Sequence, residues 1–89
     1  MTNFAVLFNA AVAGTSVTFE YVAKSDNKPR QRIGYVKTLK ADRVVIFDVV
    51  RNQYRDCILT GIIGDVTLLP TLKVDVTQVE IEVKLPFEN

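Results

Sequence analysis

The sequence predicts a mainly β domain: one short N-terminal helix, then a small antiparallel barrel or highly curved sheet of five or six strands. Three observations carry this. Helical spacing of apolar residues is confined to residues 2–13, the period changes to two after Gly14, and the turn signals beyond it come at short intervals with no helix between strands. A sheet of this kind closes on itself to remove its exposed edges.

Residues 2–13 place Phe4, Leu7, Phe8, Ala11 and Val12 on one helical stripe, with Thr2 or Asn3 available to cap the start and Gly14 to end the helix in the left-handed region. A helix this short needs a surface to dock on. Val17, Phe19 and Tyr21 then alternate with Thr18 and Glu20, a half-buried strand that ends at the polar tip Lys24–Pro29. From Arg30 the alternation resumes through Arg32, Ile33, Tyr35 and Val36 to Leu39, with Gly34 marking a bulge or a bend. Lys40–Arg43 is the next turn. Val44–Val50 is a nearly continuous apolar run, the pattern of a strand covered on both faces. Asn52 suits a tight turn that needs positive φ, and Tyr54–Thr60 returns.

Gly61–Pro70 is punctuated by Gly61, Gly64 and Pro70 and is predicted to be a short connector or edge strand. Residues 73–85 alternate again, with a slip of phase at Thr77-Gln78 that predicts a turn or bulge. The chain is thus expected to be one domain over residues 1–89, with the helix at 2–13, the barrel at about 16–69 and C-terminal strands within 73–85. At 89 residues such a domain buries about 60–65% of its unfolded surface.

Composition excludes several classes. Hydrophobic residues make up 48% and charged residues 24%, with only 4 glycines and 3 prolines, so the chain is globular rather than disordered or fibrous. No apolar run approaches the ~20 residues of a membrane span. Met1–Phe4 lacks the basic start of a secretory signal and Cys57 is the only cysteine, which together point to a reducing, cytoplasmic setting. With no histidine, the usual general base and commonest metal ligand are missing, and no cofactor or metal is expected. Cys57 lies mid-strand beside Ile58 and reads as a small core residue, Glu80 and Glu82 as an exposed charged face. Gly61–Gly64 lacks the lysine and hydroxyl residue of a phosphate loop. The chain is not expected to be an enzyme.

Charge is unevenly spread. Residues 24–43 hold Lys24, Lys28, Arg30, Arg32, Lys37, Lys40 and Arg43 against Asp26 and Asp42, +5, while the rest of the chain is −4. The basic segment is either a solvated surface or a face for an anionic partner. Candidate binding residues are Lys28, Arg30, Arg32, Lys37, Arg43 and Arg55, with Tyr21, Tyr35 and Tyr54 as platforms for bases. The alternatives are an ion pair of Arg55 with Asp48 or Asp56, and tyrosines that pack their rings along the strands.

The order of helix, Gly14, Val17–Tyr21, polar loop, Arg32-Ile33, Phe47-Asp48, Tyr54-Arg55 and Leu59–Ile62 resembles a WYL domain over about residues 4–66. The aromatic triplet that names that family is absent, its place being taken by Asp42–Val45, and a second arginine of the family falls on Gly61. The resemblance implies an Sm-like, SH3-type barrel in a bacterial or phage regulator, located in the bacterial cell or in the host cytoplasm, that senses a nucleotide-like or nucleic-acid ligand. It carries a ligand-binding role to Arg55. The rival expectation is a protein-interaction module in which the strand carrying Val79, Ile81, Val83 and Leu85 completes the barrel, pairs with a second copy or docks on a partner regulator.

Overall fold

The computed structural model describes residues 1–73 and 80–82, with side chains through residue 70. Its elements are α1 (Asn3–Ala13), β1 (Thr15–Val22), β2 (Pro29–Lys40), β3 (Arg43–Asp48), β4 (Gln53–Ile58), a 3-10 turn (Leu59–Gly61), β5 (Ile62–Lys73) and β6 (Glu80–Glu82).

The Thr2 side chain accepts from the Ala5 N–H and caps α1, and Gly14 ends it at φ 68° with its N–H donating to the Ala10 carbonyl. The buried face is Leu7, Ala10 and Ala11, with Phe4 packed against the core; Phe8 and Val12, expected on the same stripe, are exposed. Ala10 takes a buried place instead, so the docked face is centred on Leu7, Ala10 and Ala11, three and four residues apart. Asn3 fastens the helix start to β5, donating to the Gly64 carbonyl and accepting from the Val66 N–H, both at 2.9 Å.

Five strands form an antiparallel ladder in the order β4-β3-β2-β1-β5. Long β2 turns it into a strongly curved sheet: Pro29–Gly34 pairs with β1, and Gly34–Leu39 pairs with β3. Beyond the end of the β1 ladder, Thr38–Lys40 pairs in parallel with β6. Leu7, Val17, Phe19, Val36, Leu39, Val44, Ile46 and Cys57 are fully or almost fully buried between helix and sheet.

Three expectations are refined. Of the bulge or bend predicted at Gly34, the bulge falls instead between Val36 and Thr38, while Gly34 pairs with both Val17 and Asp48 at the point where β2 passes from β1 to β3. Gly34 is required for space, since a Cβ there would lie 2.0 Å from the Phe47 carbonyl oxygen. The apolar run Val44–Val50 is covered on one face only: Val44, Ile46 and Asp48 alternate inward, and the strand stops at Asp48 so that Val49 and Val50 stand exposed in the turn. Finally, of the connector and the edge strand predicted for Gly61–Pro70, the edge strand is the one formed: it is the 12-residue β5 at the end of the ladder, pairing along β1 through two register shifts. These shifts let Gly64 and Pro70 sit within a strand. The phase slip at Thr77-Gln78 lies outside the described residues.

Candidate anion-binding site

Strand alternation puts two arginines on the inner side of the curved sheet. On β2, Arg32 shares its phase with Gly34 and Val36 and pairs with buried Phe19; on β4, Arg55 shares its phase with Cys57 and pairs with buried Ile46. Both stand where an apolar side chain would ordinarily complete the core. Arg32 is only 6% exposed, and its Nε and Nη1 are buried with no hydrogen-bond partner among the described residues. The Nε of Arg55 is likewise buried and unpartnered. Buried guanidinium groups of this kind carry a large desolvation penalty unless charge and donors are matched.

What Arg32 does have is an aromatic neighbour. Its Cζ lies 5.7 Å from the centroid of the Tyr21 ring, within cation–π range. Tyr21 is held by its hydroxyl, which accepts from the Ile58 N–H at 3.0 Å. Arg32 also lies beside the Cys57 thiol: burial pushes that thiol up to about 11, an effect the guanidinium partly offsets. Cys57 is accordingly a buried core residue, as its mid-strand position predicts.

Arg32 and Arg55 open into two adjoining cavities. The smaller, of about 250 Å³, is walled by Arg30, Arg32, Arg51 and Arg55, with Asp26 the one carboxylate at its edge. The larger, of about 490 Å³, shares Ser25, Arg32 and Arg55 with it and adds Tyr21, Lys24, Arg43, Tyr54 and Asp56. Opposite charges already engage some of these cations. Arg30 donates to Asp26, Arg43 is bridged by Asp42 and Asp56 at 3.3 and 3.4 Å, and Arg51 pairs with Asp48 at 3.1 Å. The ion pair considered for Arg55 is therefore not the one formed: Asp48 takes Arg51 and Asp56 takes Arg43. A fork of guanidinium donors around a cavity is the geometry that receives a phosphate or carboxylate.

The supporting turn is built by Asp48. Its buried carboxylate accepts from the N–H groups of Val50 and Arg51 at 2.9 and 3.0 Å as well as from the Arg51 guanidinium, and Asn52 completes the turn at φ 57°. Burial alone would raise the pKa of Asp48, but the hydrogen bonds from Arg51 and Val50 outweigh it and hold the carboxyl below its ordinary value.

Of the residues picked out in the sequence, Arg30, Arg32, Arg43, Tyr54 and Arg55 line these cavities. Lys28 is exposed in the β1–β2 loop, Lys37 occupies the β2 bulge with an interaction of its own, and Tyr35 stacks on Phe47 at 5.4 Å on the outer face; none of the three lines either cavity. Phe47 in turn meets Tyr54 edge-on at 5.1 Å, so these rings pack along the strands. Ile81 lies in β6 beside Leu39 of its own chain, and Val79, Val83 and Leu85 lie outside the described residues. Arg51 and Asp26 are not among the residues picked out in the sequence; Tyr21 is, as a ring for stacking, and it lies against Arg32. The spacing of Asp48 and Arg51 across a tight turn is the signal that would have found the first.

No family model matches the sequence, and no curated protein matches it significantly. The fold is similar to part of a solved structure, proteasome accessory factor B/C (PafBC) of Arthrobacter aurescens, with a TM-score of 0.69 over 97% of this chain at 17% identity. The chain spans 13% of that protein's length, and the likeness is one of fold. No described helix is long and apolar enough to cross a membrane.

Proposed function

We propose that this domain is a small non-enzymatic regulatory or accessory module, WYL-like in architecture, that binds a nucleic acid or nucleotide-like anion in the arginine-walled cavities. The observation that carries this reading is Arg32: a guanidinium 6% exposed, with two unpartnered buried nitrogens, at the wall of a cavity it shares with Arg55. Burying a cation there lowers stability in the free domain. A phosphate in the cavity supplies the missing countercharge and accepts from the donors that the lining arginines turn toward it, and charge-assisted hydrogen bonds of this type are worth about 1.5–3 kcal/mol each. The basic segment around the site adds longer-range attraction for an anionic strand. The resemblance of Tyr54-Arg55 and its hairpin to the WYL pattern supports the same assignment.

The test is binding of short single-stranded RNA and DNA, read by fluorescence anisotropy. Arg55→Ala should weaken affinity by about tenfold or more, and Arg55→Lys should recover part of it, because the charge returns without the fork. Absence of binding to RNA, DNA and adenosine monophosphate alike, or full affinity in Arg55→Ala, would contradict the proposal.

A further inference from the structure

The apolar stripe of α1 is wider than the face that the domain itself buries. Leu7, Ala10 and Ala11 dock on the sheet, while Phe8 is 41% exposed and Val12, one turn further on, is 58% exposed. Residues four apart share one side of a helix, so these two side chains stand together on a flank turned away from the core. Met1 lies near it: its sulfur accepts from the Asn9 amide at 3.5 Å, which holds the thioether against the helix.

What this flank lacks is charge. The chain carries 11 basic and 10 acidic side chains, and the first of them in sequence is Glu20. A solvated helix face ordinarily carries charged residues, and an exposed apolar flank without them marks a contact surface. The ends of α1 are equally bare, with no acidic side chain in its first turn and no basic one in its last. The partial positive charge at its start and the partial negative charge at its end, about half a unit each, therefore have no charged side chain to offset them.

We propose that the outer flank of α1 is a contact with a second copy of this chain, the two helices packing antiparallel about a two-fold axis near Phe8, the middle residue of α1. A two-fold contact sets each face against itself, so a charged face would repel its own copy and this one does not. Antiparallel packing also puts the positive end of each helix beside the negative end of the other, which supplies the complement that its own side chains leave out. A lipid surface is the poorer occupant, because helices that lie on membranes carry Lys or Arg on their polar side. Size sets the strength: a helix about 16 Å long and 10 Å wide offers less than the ~800 Å² that each partner gives to a standard stable interface. The dimer is therefore weak and forms at high concentration. No residue of α1 lines the arginine cavities, so pairing leaves them open.

Sedimentation equilibrium on the full chain tests this. Between about 10 μM and 1 mM the native chain should pass from monomer to dimer, with a Kd on the order of 100 μM. Phe8→Glu and Phe8→Lys, each alone, should weaken association about tenfold or more, and an equimolar mixture of the two should dimerise again, because opposite charges then meet across the axis. Val12→Glu, at the more exposed position, should weaken the dimer in the same way. Val50→Glu places the same charge on an exposed side chain of the β3–β4 turn and should dimerise as the native chain does, with thermal melts showing which variants fold. A chain that stays monomeric to about 1 mM, whether or not its α1 face then binds phosphatidylcholine vesicles, would overturn the proposal. So would a dimer that persists in folded Phe8→Glu or Val12→Glu, one lost equally in Val50→Glu, or a mixed sample that stays monomeric.

Discussion

The Tyr21 hydroxyl accepts a hydrogen bond from the Ile58 backbone N–H at 3.0 Å, joining β1 to the end of β4 across 37 residues of sequence. The two strands are not neighbours in the ladder, so this bond ties opposite sides of the curved sheet. The same ring meets Phe19 edge-on at 6.4 Å and carries the Arg32 guanidinium above it. Core, closure and candidate site therefore meet in one side chain.

Tyr21→Phe keeps the ring and removes the acceptor. The Ile58 N–H is then left without its partner, which should lower stability by about 1–2 kcal/mol. For a domain of this size that corresponds to a fall in Tm of roughly 4–8 °C per kcal/mol, measurable by circular dichroism. An unchanged Tm would mean that the bond contributes nothing to closure.

Gly34→Ala tests the close approach of β2 and β3. The new methyl would meet the Phe47 carbonyl oxygen at 2.0 Å, and backbone cannot yield as a flexible side chain does. The expected loss is about 2–3 kcal/mol or more, read from the urea midpoint. A loss below 0.5 kcal/mol would show that the strands separate freely at this point.

Asp48 gives the fold an acid limit. Its pKa is held below the ordinary value in the folded state, so the folded chain binds this proton less readily than the unfolded chain does. Its contribution is complete above the unfolded-state pKa, near 4, and is lost as pH falls through the lower folded-state value. Urea midpoints between pH 7 and pH 2 should drop in the native chain. Asp48→Asn should be less stable at pH 7 and show a shallower drop, and equal slopes in the two proteins would contradict this.

Asp26 competes with an incoming anion for Arg30. Its carboxyl pKa is lowered chiefly by the hydrogen bond from that guanidinium, and it is the one carboxylate lining the smaller cavity. Asp26→Asn should therefore tighten binding of a single-stranded oligonucleotide at low salt, with little change in Tm because both groups face solvent. Weaker binding in this variant would place the anion elsewhere.

Much of the fold is legible in the sequence because local rules and tertiary packing agree there. Thr2 and Gly14 bound the helix where capping chemistry puts them, and Asn52 takes the positive φ its turn requires. What was not legible depends on pairing. β5 reads as a short connector or edge strand because Gly64 and Pro70 interrupt its pattern, and only the register shifts against β1 reveal how a long strand absorbs them. Gly34 reads as a bulge or a bend because a sequence shows a missing side chain but not the carbonyl that excludes one. The arginines of the site were nameable from charge and from the hairpin motif, yet their convergence was not. It follows from the inward phase of Arg32 and Arg55 on two strands that are separated in the ladder by β3. Lys28, Lys37 and Tyr35 shared the same stretch of sequence and point elsewhere for the same reason of phase or loop position.

The central claim is that Arg32 and Arg55 hold phosphate groups, and its most direct test is the salt dependence of oligonucleotide binding. A single-stranded oligonucleotide titrated between about 50 and 200 mM salt should lose affinity steeply, with log K falling linearly in log salt. In Arg55→Ala the slope should decrease by about 0.7, the share of one phosphate contact on a single strand. A slope identical to that of the native chain, or binding indifferent to salt, would contradict the account.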